Sequence, residues 1–293
     1  MGKIVCLIPC YNKDNTREKN NRSIQSLLNK FSFDKVVIYD QGFIPSDYRD
    51  DCEYIGHQET GTGFVEPRNC LLKWFYNSDY DWAWWIDANG SVSAPTANDL
   101  YTMLDACRND KLNDVDAVFS TLGIIVDADR IKLKQEREYK EFVTLIPATM
   151  SKRSDWFHGM FLANLKKRYN EEPLIDPYFD PRKNNGLVED VYFVRLLKAY
   201  YSSYHLPTLT ITKPNSNFST HKDDGTGKYN YAPTDYDTTD LYISKLRNQF
   251  DTSRLSSYRF RQPIKLERVD TDKELLKEYQ PRTKQVVQKS LFM

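Results

Sequence analysis

Asp79-Tyr80-Asp81-Trp82-Ala83-Trp84-Trp85-Ile86-Asp87-Ala88-Asn89-Gly90 is the stretch on which the fold turns. It passes from polar to strongly apolar and stops abruptly at a turn. Residues 82–86 are short, aromatic-rich and bounded by turn formers, so they predict a buried strand. A carboxylate just past the C-terminal edge of such a strand sits where open α/β sheets bind ligands. Asp87 and Asn89 offer oxygen ligands two residues apart, a spacing suited to Mn2+ or Mg2+ bridging two phosphates. A buried strand followed by an ordinary polar turn has the same pattern, so this motif is weighed with the rest of the chain.

Upstream, residues 3–8 form a continuous apolar run ended by Pro9, which predicts the first strand of a parallel sheet. Pro9-Cys10-Tyr11-Asn12 is then the loop at its C-terminal edge. Ile24, Leu27, Leu28 and Phe31 fall at helical spacing and predict a helix over 21–30. Residues 36–40 read as a second strand ending in Asp40, with Gln41-Gly42 as its turn, which makes a βαβ unit. Residues 53–55 suggest a short third strand. Thr60-Gly61-Thr62-Gly63 is a loop without the Gly-Lys-Ser/Thr of a phosphate-binding P-loop. Glu66-Pro67 opens a helix with Leu71, Trp74 and Phe75 on one face. Arg68 and Asn69 lie in its first turn, where a cation opposes the helix dipole. Arg68 therefore serves either an anionic ligand or solvent.

Downstream, Pro95 precedes a helix carrying Leu100, Met103, Leu104 and Cys107. Strands are expected at 116–120, 144–146 and 209–212, with a further apolar run at 124–126. Residues 127–141 are charge-rich, a helix or loop in water. Residues 156–162 are an apolar patch holding His158 and Gly159. Residues 176–185 are a loop. Glu189-Asp190 starts a helix with Val191, Val194 and Leu197 on one face. His221 lies in a polar loop, and residues 226–239 form a loop or boundary. A helix near 241–250 precedes the basic, aromatic stretch 254–265.

With 293 residues the chain holds one large α/β domain or two small ones. Net charge is zero, but from 241 onward 12 Lys+Arg face 6 Asp+Glu, leaving 29 against 35 before it. A basic tail on an acidic body suggests a polyanion partner, and a solvated helix is the plainer reading. The cysteines are five, all within the first 107 residues and without a Cys-x-x-Cys pair. That points to reduced thiols and the cytoplasm, and away from zinc. No apolar run is long enough to span a membrane. His57, His158 and His205 lack acidic neighbours and are expected to be structural.

Five motifs in order carry a resemblance: 8–12, 37–40, 67–72 with its Arg-Asn-Cys-Leu-Leu, 81–89, and Val188-Glu189-Asp190-Val191-Tyr192. The first two resemble the opening of family 2 glycosyltransferases. The third and fourth are similar to the Anp1-type mannosyltransferase core. The likeness covers roughly residues 1 to 225, discontinuously. It implies a GT-A fold, a Rossmann-like and mostly parallel sheet flanked by helices, with a basic C-terminal extension. Residues 1–240 would be the catalytic domain, split into a nucleotide-binding half (1–90) and an acceptor half (91–240), and 241–293 the extension.

What the resemblance implies for single residues is specific. Asp40 contacts the nucleotide base beside Tyr11, with Pro9, Asn12 and Ala88 also on the donor side. Arg68 approaches the sugar or diphosphate. Asp87 and Asn89 occupy the Asp-x-Asp positions and hold Mn2+ or Mg2+, with His221 as a late ligand. Asp190, with Glu189 beside it, is the acidic residue facing the acceptor. Asn89 departs from the usual second Asp, which weakens the charge offered to a cation. The donor expected is a nucleotide sugar, UDP-linked by preference. Arg254, Tyr258, Arg259 and Arg261, with Phe260, Lys265 and Arg268, suit phosphate contacts and base stacking. This fits 5-hydroxymethylcytosine in DNA as acceptor, as in some tailed-phage enzymes of the host cytoplasm, with a base extruded from the duplex. A polysaccharide or lipid-linked glycan fits equally, the same stretch then lying on anionic lipid. A nucleotidyltransferase or a non-catalytic sugar-nucleotide binding protein are the readings from other classes.

Overall fold

The computed structural model describes residues 1–11, 17–42, 48–56, 65–92, 96–124, 141–148, 159–169, 193–194, 197–198, 200–213 and 261–269. The described strands are β1 (Ile4–Tyr11), β2 (Lys35–Gln41), β3 (Glu53–Ile55), β4 (Trp82–Ile86), β5 (Ser91–Val92), β6 (Ala117–Ile124), β7 (Phe142–Pro147), β8 (Gly159–Ala163), β9 (Ser203–Lys213) and β10 (Ile264–Glu267). The described helices are α1 (Arg17–Leu28), α2 (Val65–Tyr76), α3 (Ala97–Arg108) and α4 (Leu165–Tyr169). The strands form one sheet in the order β10-β7-β9-β6-β8-β4-β1-β2-β3, with β5 paired to β9.

The aromatic strand sits near the middle of that order, and its burial explains why. Every residue of β4 is buried. Successive strand side chains point to opposite faces, so Trp84 and Trp85 serve the two faces of the sheet, at 0% and 1% exposure. Burying roughly 150–250 Å2 each, at about 25 cal/mol per Å2, stabilises the fold by roughly 4–6 kcal/mol per indole as an upper bound. That holds β4 in place, and with it the turn that follows. Parallel pairing with β1 sets Ile4 against Trp82 and Leu7 against Trp85. Antiparallel pairing with β8 sets Ile86 against Gly159. No side chain fits at Gly159: a Cβ there would meet Ile211 Cγ1 at 2.7 Å and Trp84 Cη2 at 2.9 Å.

Parallel pairing joins β3, β2, β1 and β4, and also β6 and β9. The remaining pairs are antiparallel. A mostly parallel sheet was expected; the sheet is parallel from β3 to β4 and mixed beyond β4. Several boundaries differ from the sequence reading, three of them at β1, α1 and the late strand. β1 runs through Pro9 to Tyr11, because past Leu7 it pairs only with β2, and a residue with no N–H is accommodated where one ladder has ended. α1 begins at Arg17, a turn earlier than its apolar spacing. The late strand is β9, with 11 residues, lengthened by its pairing with β6 across an irregularity between Phe119 and Thr121.

The C-terminal stretch 261–269 is attached to the sheet. β10 pairs antiparallel with β7, and Leu266 is 6% exposed. Arg268 N donates to Glu141 O at 2.8 Å, and Val269 N to Thr102 Oγ1 at 3.2 Å. Among the described residues no helix is long and apolar enough to cross a membrane. The expected helix at 241–250, and the stretches 127–140 and 176–185, lie outside the described residues.

Candidate active site

Three of the carboxylate and cation positions expected from sequence come together at the C-terminal ends of β1, β2 and β4. Ala88 N donates to Pro9 O at 3.3 Å, joining the turn after β4 to the end of β1. On the other side of β1, Cys10 stands in register with Asp40 and Tyr11 with Gln41. Asp40 and Asp87 therefore flank β1 two strand spacings apart, about 10 Å at the backbone. The turn itself closes with Gly90 N donating to Asp87 O at 2.8 Å. Gly90 has little room for more, since a Cβ would lie 3.0 Å from Ile86 Cγ1 and 3.1 Å from Asp87 O.

Arg68 arrives from α2. Leu71, Leu72 and Phe75 of that helix are fully buried, so the body of α2 is held against the sheet, and Arg68 lies one turn before them. Arg68 Nη2 lies 3.8 Å from Asp87 Oδ1, the two side chains 6% and 15% exposed. That is an ion pair, but it is longer than the 2.7–3.2 Å of a direct N–H···O bond. The buried Arg68 is thus not the surface arginine that the sequence left open.

Asp40 is 3% exposed and accepts a hydrogen bond from the Tyr48 hydroxyl. Tyr48 stacks on Tyr54 with centroids 4.3 Å apart and planes 17° apart. Burial pushes the Tyr54 phenol up to about 12. Neither tyrosine was singled out from sequence, since they lie in a polar stretch with no periodic signal. Cys10, beside Asp40 on β1, is 2% exposed and its Sγ accepts from Asn20 Nδ2 at 3.8 Å. All five thiols are free.

Not every buried aspartate belongs here. Asp116 precedes β6 at the opposite end of the sheet, 1% exposed. It receives Arg168 Nη1 at 3.1 Å, Tyr169 Oη at 2.7 Å and Ser202 N at 2.7 Å. So many donors make it a structural carboxylate. His205 is likewise structural, 3% exposed and 3.0 Å through Nε2 from Thr121 Oγ1.

The donor set suits a hard cation only in part. Asp87 and the half-buried Asn89 supply a carboxylate and an amide oxygen on one turn. Among the described residues no group of three His, Cys, Asp or Glu is gathered for a metal. A Mn2+ or Mg2+ ion here would draw its other ligands from phosphate oxygens and water, which is how Mg2+ is commonly held. Asn12, Glu189, Asp190, His221, Arg254, Tyr258 and Arg259, with His57 and His158, lie outside the described residues, as does the side chain of Tyr11. Arg261 is described: its Nη1 donates to Asp114 O at 2.6 Å. Arg268, expected to contact phosphate, instead pairs with buried Asp99 at 2.5 Å.

No protein-family model matches the sequence, and no curated protein does. Solved structures match. The crystal structure of S. aureus TarS 1-349 aligns with TM-score 0.52 at 15% identity, over 87% of this chain and 68% of that one. A longer S. aureus TarS structure aligns with TM-score 0.53 at 15% identity, over 87% of this chain and 41% of that one. The chain thus spans less than half of the longer TarS. The TarS 1-349 fragment in complex with UDP-GlcNAc aligns at TM-score 0.47 and 15% identity, over 88% of this chain and 76% of that one. At such identity the likeness is one of fold: a mixed ten-stranded sheet flanked by helices, the GT-A architecture.

Proposed function

We propose that the chain is a metal-dependent glycosyltransferase, moving a sugar from a nucleotide-sugar donor, UDP-linked by preference, to a hydroxyl acceptor. The observation that carries this reading is the Arg68–Asp87 pair, a buried cation and a carboxylate 3.8 Å apart at the C-terminal ends of parallel strands. Open α/β sheets bind ligands there. Asp40, two strands away, is set for the base end of the same nucleotide. The GT-A fold is shared with TarS, a protein solved with UDP-GlcNAc bound.

In this reading Asp87 and Asn89, with His221, would hold the divalent ion. When bound, the ion neutralises charge on the departing diphosphate. Arg68 adds a second positive charge on the same leaving group, in a site shielded from water. If the reaction inverts the anomeric carbon, Asp190 takes the proton of the acceptor hydroxyl as the hydroxyl oxygen bonds to that carbon and the bond from that carbon to the diphosphate oxygen breaks. Positioned acid–base help of this kind is worth about 10^2 to 10^4 in rate.

For the acceptor, the basic C-terminal stretch motivates 5-hydroxymethylcytosine in DNA. Arg254, Tyr258 and Arg259 carry that proposal, because Arg261 and Arg268 have partners within the chain. A polysaccharide or lipid-linked glycan is the competing acceptor. Incubation with a panel of nucleotide sugars and Mn2+, followed by release of the nucleoside diphosphate, tests the donor chemistry. No turnover and no binding of any of them refutes it. A gel shift with hydroxymethylated duplex at several salt concentrations tests the acceptor. Binding that weakens as salt rises supports DNA, and no binding leaves the glycan.

A further inference from the structure

We propose that Ser91 and Thr212 are positioning residues for the turn 87–90, their paired hydroxyls fixing where Asn89 stands beside Asp87 and so how firmly that turn takes a diphosphate with its divalent ion. The inference rests on the donor site proposed above and names what holds that site in place. The two sides of the turn are anchored unequally. Asp87 leaves β4, in which every residue is buried, and Ala88 N donates to Pro9 O at 3.3 Å. Asn89 stands on the far side, just before Gly90, and the chain there runs straight into β5, two residues long and half-buried. So short a strand has few main-chain hydrogen bonds to hold it. Its partner is β9, with Ser91 against Thr212 and Val92 against Ile211.

The side chains supply what the short ladder lacks. Ser91 Oγ lies 2.8 Å from Thr212 Oγ1, and Thr212 Oγ1 donates to Ser91 O at 3.2 Å. Each hydroxyl has one proton, so with Thr212 donating to the main chain the Ser91 hydroxyl is the donor between them; it also lies 3.3 Å from Thr212 O. Thr–Ser pairs directly opposite on antiparallel strands stabilise their pairing. A second hydroxyl tie to the same strand follows, Thr96 Oγ1 accepting from Thr210 N at 3.2 Å and donating to Thr210 O at 3.4 Å. β9 is itself fixed by β6, with Thr212 against Gly123. Gly90 is closed in by β9 as well, since a Cβ there would lie 3.4 Å from Ile211 Cγ2. The Ser91–Thr212 tie is the nearer of the two to Asn89. Its loss loosens the Asn89 side of the turn while Asp87 stays on β4.

The test is UDP binding to the full chain by calorimetry, with and without Mn2+. Thr212→Val keeps the shape of the side chain and removes its hydroxyl. It should weaken UDP binding in Mn2+ by about tenfold, the lower end of what outer partners of a metal site contribute, and in the absence of Mn2+ by no more than about threefold. Thr212→Ser, which keeps the hydroxyl, should bind as native protein does. A merely structural role would lower the melting temperature without this split; valine suits a strand, and the melt should fall by no more than about 3 °C. Hydrogen exchange in the peptide covering 87–92 should be faster in Thr212→Val than in native protein. A double-mutant cycle tests the route through Asn89: in an Asn89→Ala background, Thr212→Val should cost no more than about a further threefold. If Thr212→Val does not fold, Ser91→Ala takes its place and should weaken UDP binding in Mn2+ by more than about threefold. Native UDP binding in Thr212→Val, an equal loss with and without Mn2+, or an undiminished loss in the Asn89→Ala background overturns the positioning role and leaves the proposed function standing. Failure of the native protein to bind UDP in Mn2+ removes both.

Discussion

Arg268→Met asks whether the basic C-terminal stretch is structure or a binding arm. Arg268 Nη1 lies 2.5 Å from Asp99 Oδ1, the side chains 12% and 2% exposed. Burial pushes the Asp99 carboxyl up, and the Thr208 hydroxyl and then Arg268 work against that. Taking the cation away leaves the buried carboxylate without its charged partner, a change that costs about 3–5 kcal/mol. Little of this is screened, because neither side chain is more than 12% exposed. About 3 kcal/mol corresponds to a melting temperature lower by roughly 6–12 °C in a chain of this size. Urea midpoints and thermal melts of the full chain measure it. Adding Asp99→Asn to the variant should recover part of the loss, since the buried charge is then gone. The pH dependence has a definite sign. Without Arg268 the Asp99 pKa rises further above its unfolded value, and a raised carboxyl favours the folded state when protonated. The deficit relative to native protein should therefore be full at neutral pH and narrow as the pH falls. A loss below about 1 kcal/mol, the scale of an exposed pair, would refute the reasoning and return Arg268 to the acceptor surface.

Asp87→Ala should abolish sugar transfer while leaving the fold intact by circular dichroism; loss of folding would mean that the residue serves the turn alone. Asp190→Asn should lower kcat far more than it weakens donor binding, and equal losses would remove it from the role of base. Gly159→Ala should cost about 1–3 kcal/mol by overpacking, read from urea midpoints, because its Cβ would fall 2.7 Å from Ile211 Cγ1 and 2.9 Å from Ser120 Oγ. Burial keeps the Cys6, Cys52 and Cys107 thiols protonated above the ordinary 9.0, Cys52 up to about 12. The unfolded chain loses those protons first, so stability should fall as pH rises from 9 toward 12. A urea midpoint that does not move across that window would contradict it.

The parts of the fold that could be read from sequence are those whose burial is continuous along the chain. β1, β2 and β4 are unbroken apolar runs because both their faces are covered, and α2 repeats its apolar residues at helical spacing. Arg68 on α2 and Asp87 just past β4 were both singled out from sequence, and their contact is what the structure adds. What escaped was fixed across strands. Ser203–Pro207 of β9 contains polar residues and a proline, and it is a strand because β6 and β7 pair with it. β10 has four residues, Ile264-Lys265-Leu266-Glu267, with only Leu266 buried. Its charges drew the eye to a partner outside the chain, while its alternation matches a sheet edge. Tyr48 reaches Asp40 from a stretch of sequence that carries no periodic signal, and Asp116 is a structural carboxylate only because Arg168, Tyr169 and Ser202 converge on it from distant segments.

A crystal soaked with UDP and Mn2+ tests the central claim most directly. The account predicts that the metal density lies against the Asp87 carboxylate and beside the diphosphate, with the uracil toward Asp40. A nucleotide bound elsewhere, with Asp87 still beside Arg68 and no metal near it, would contradict the account.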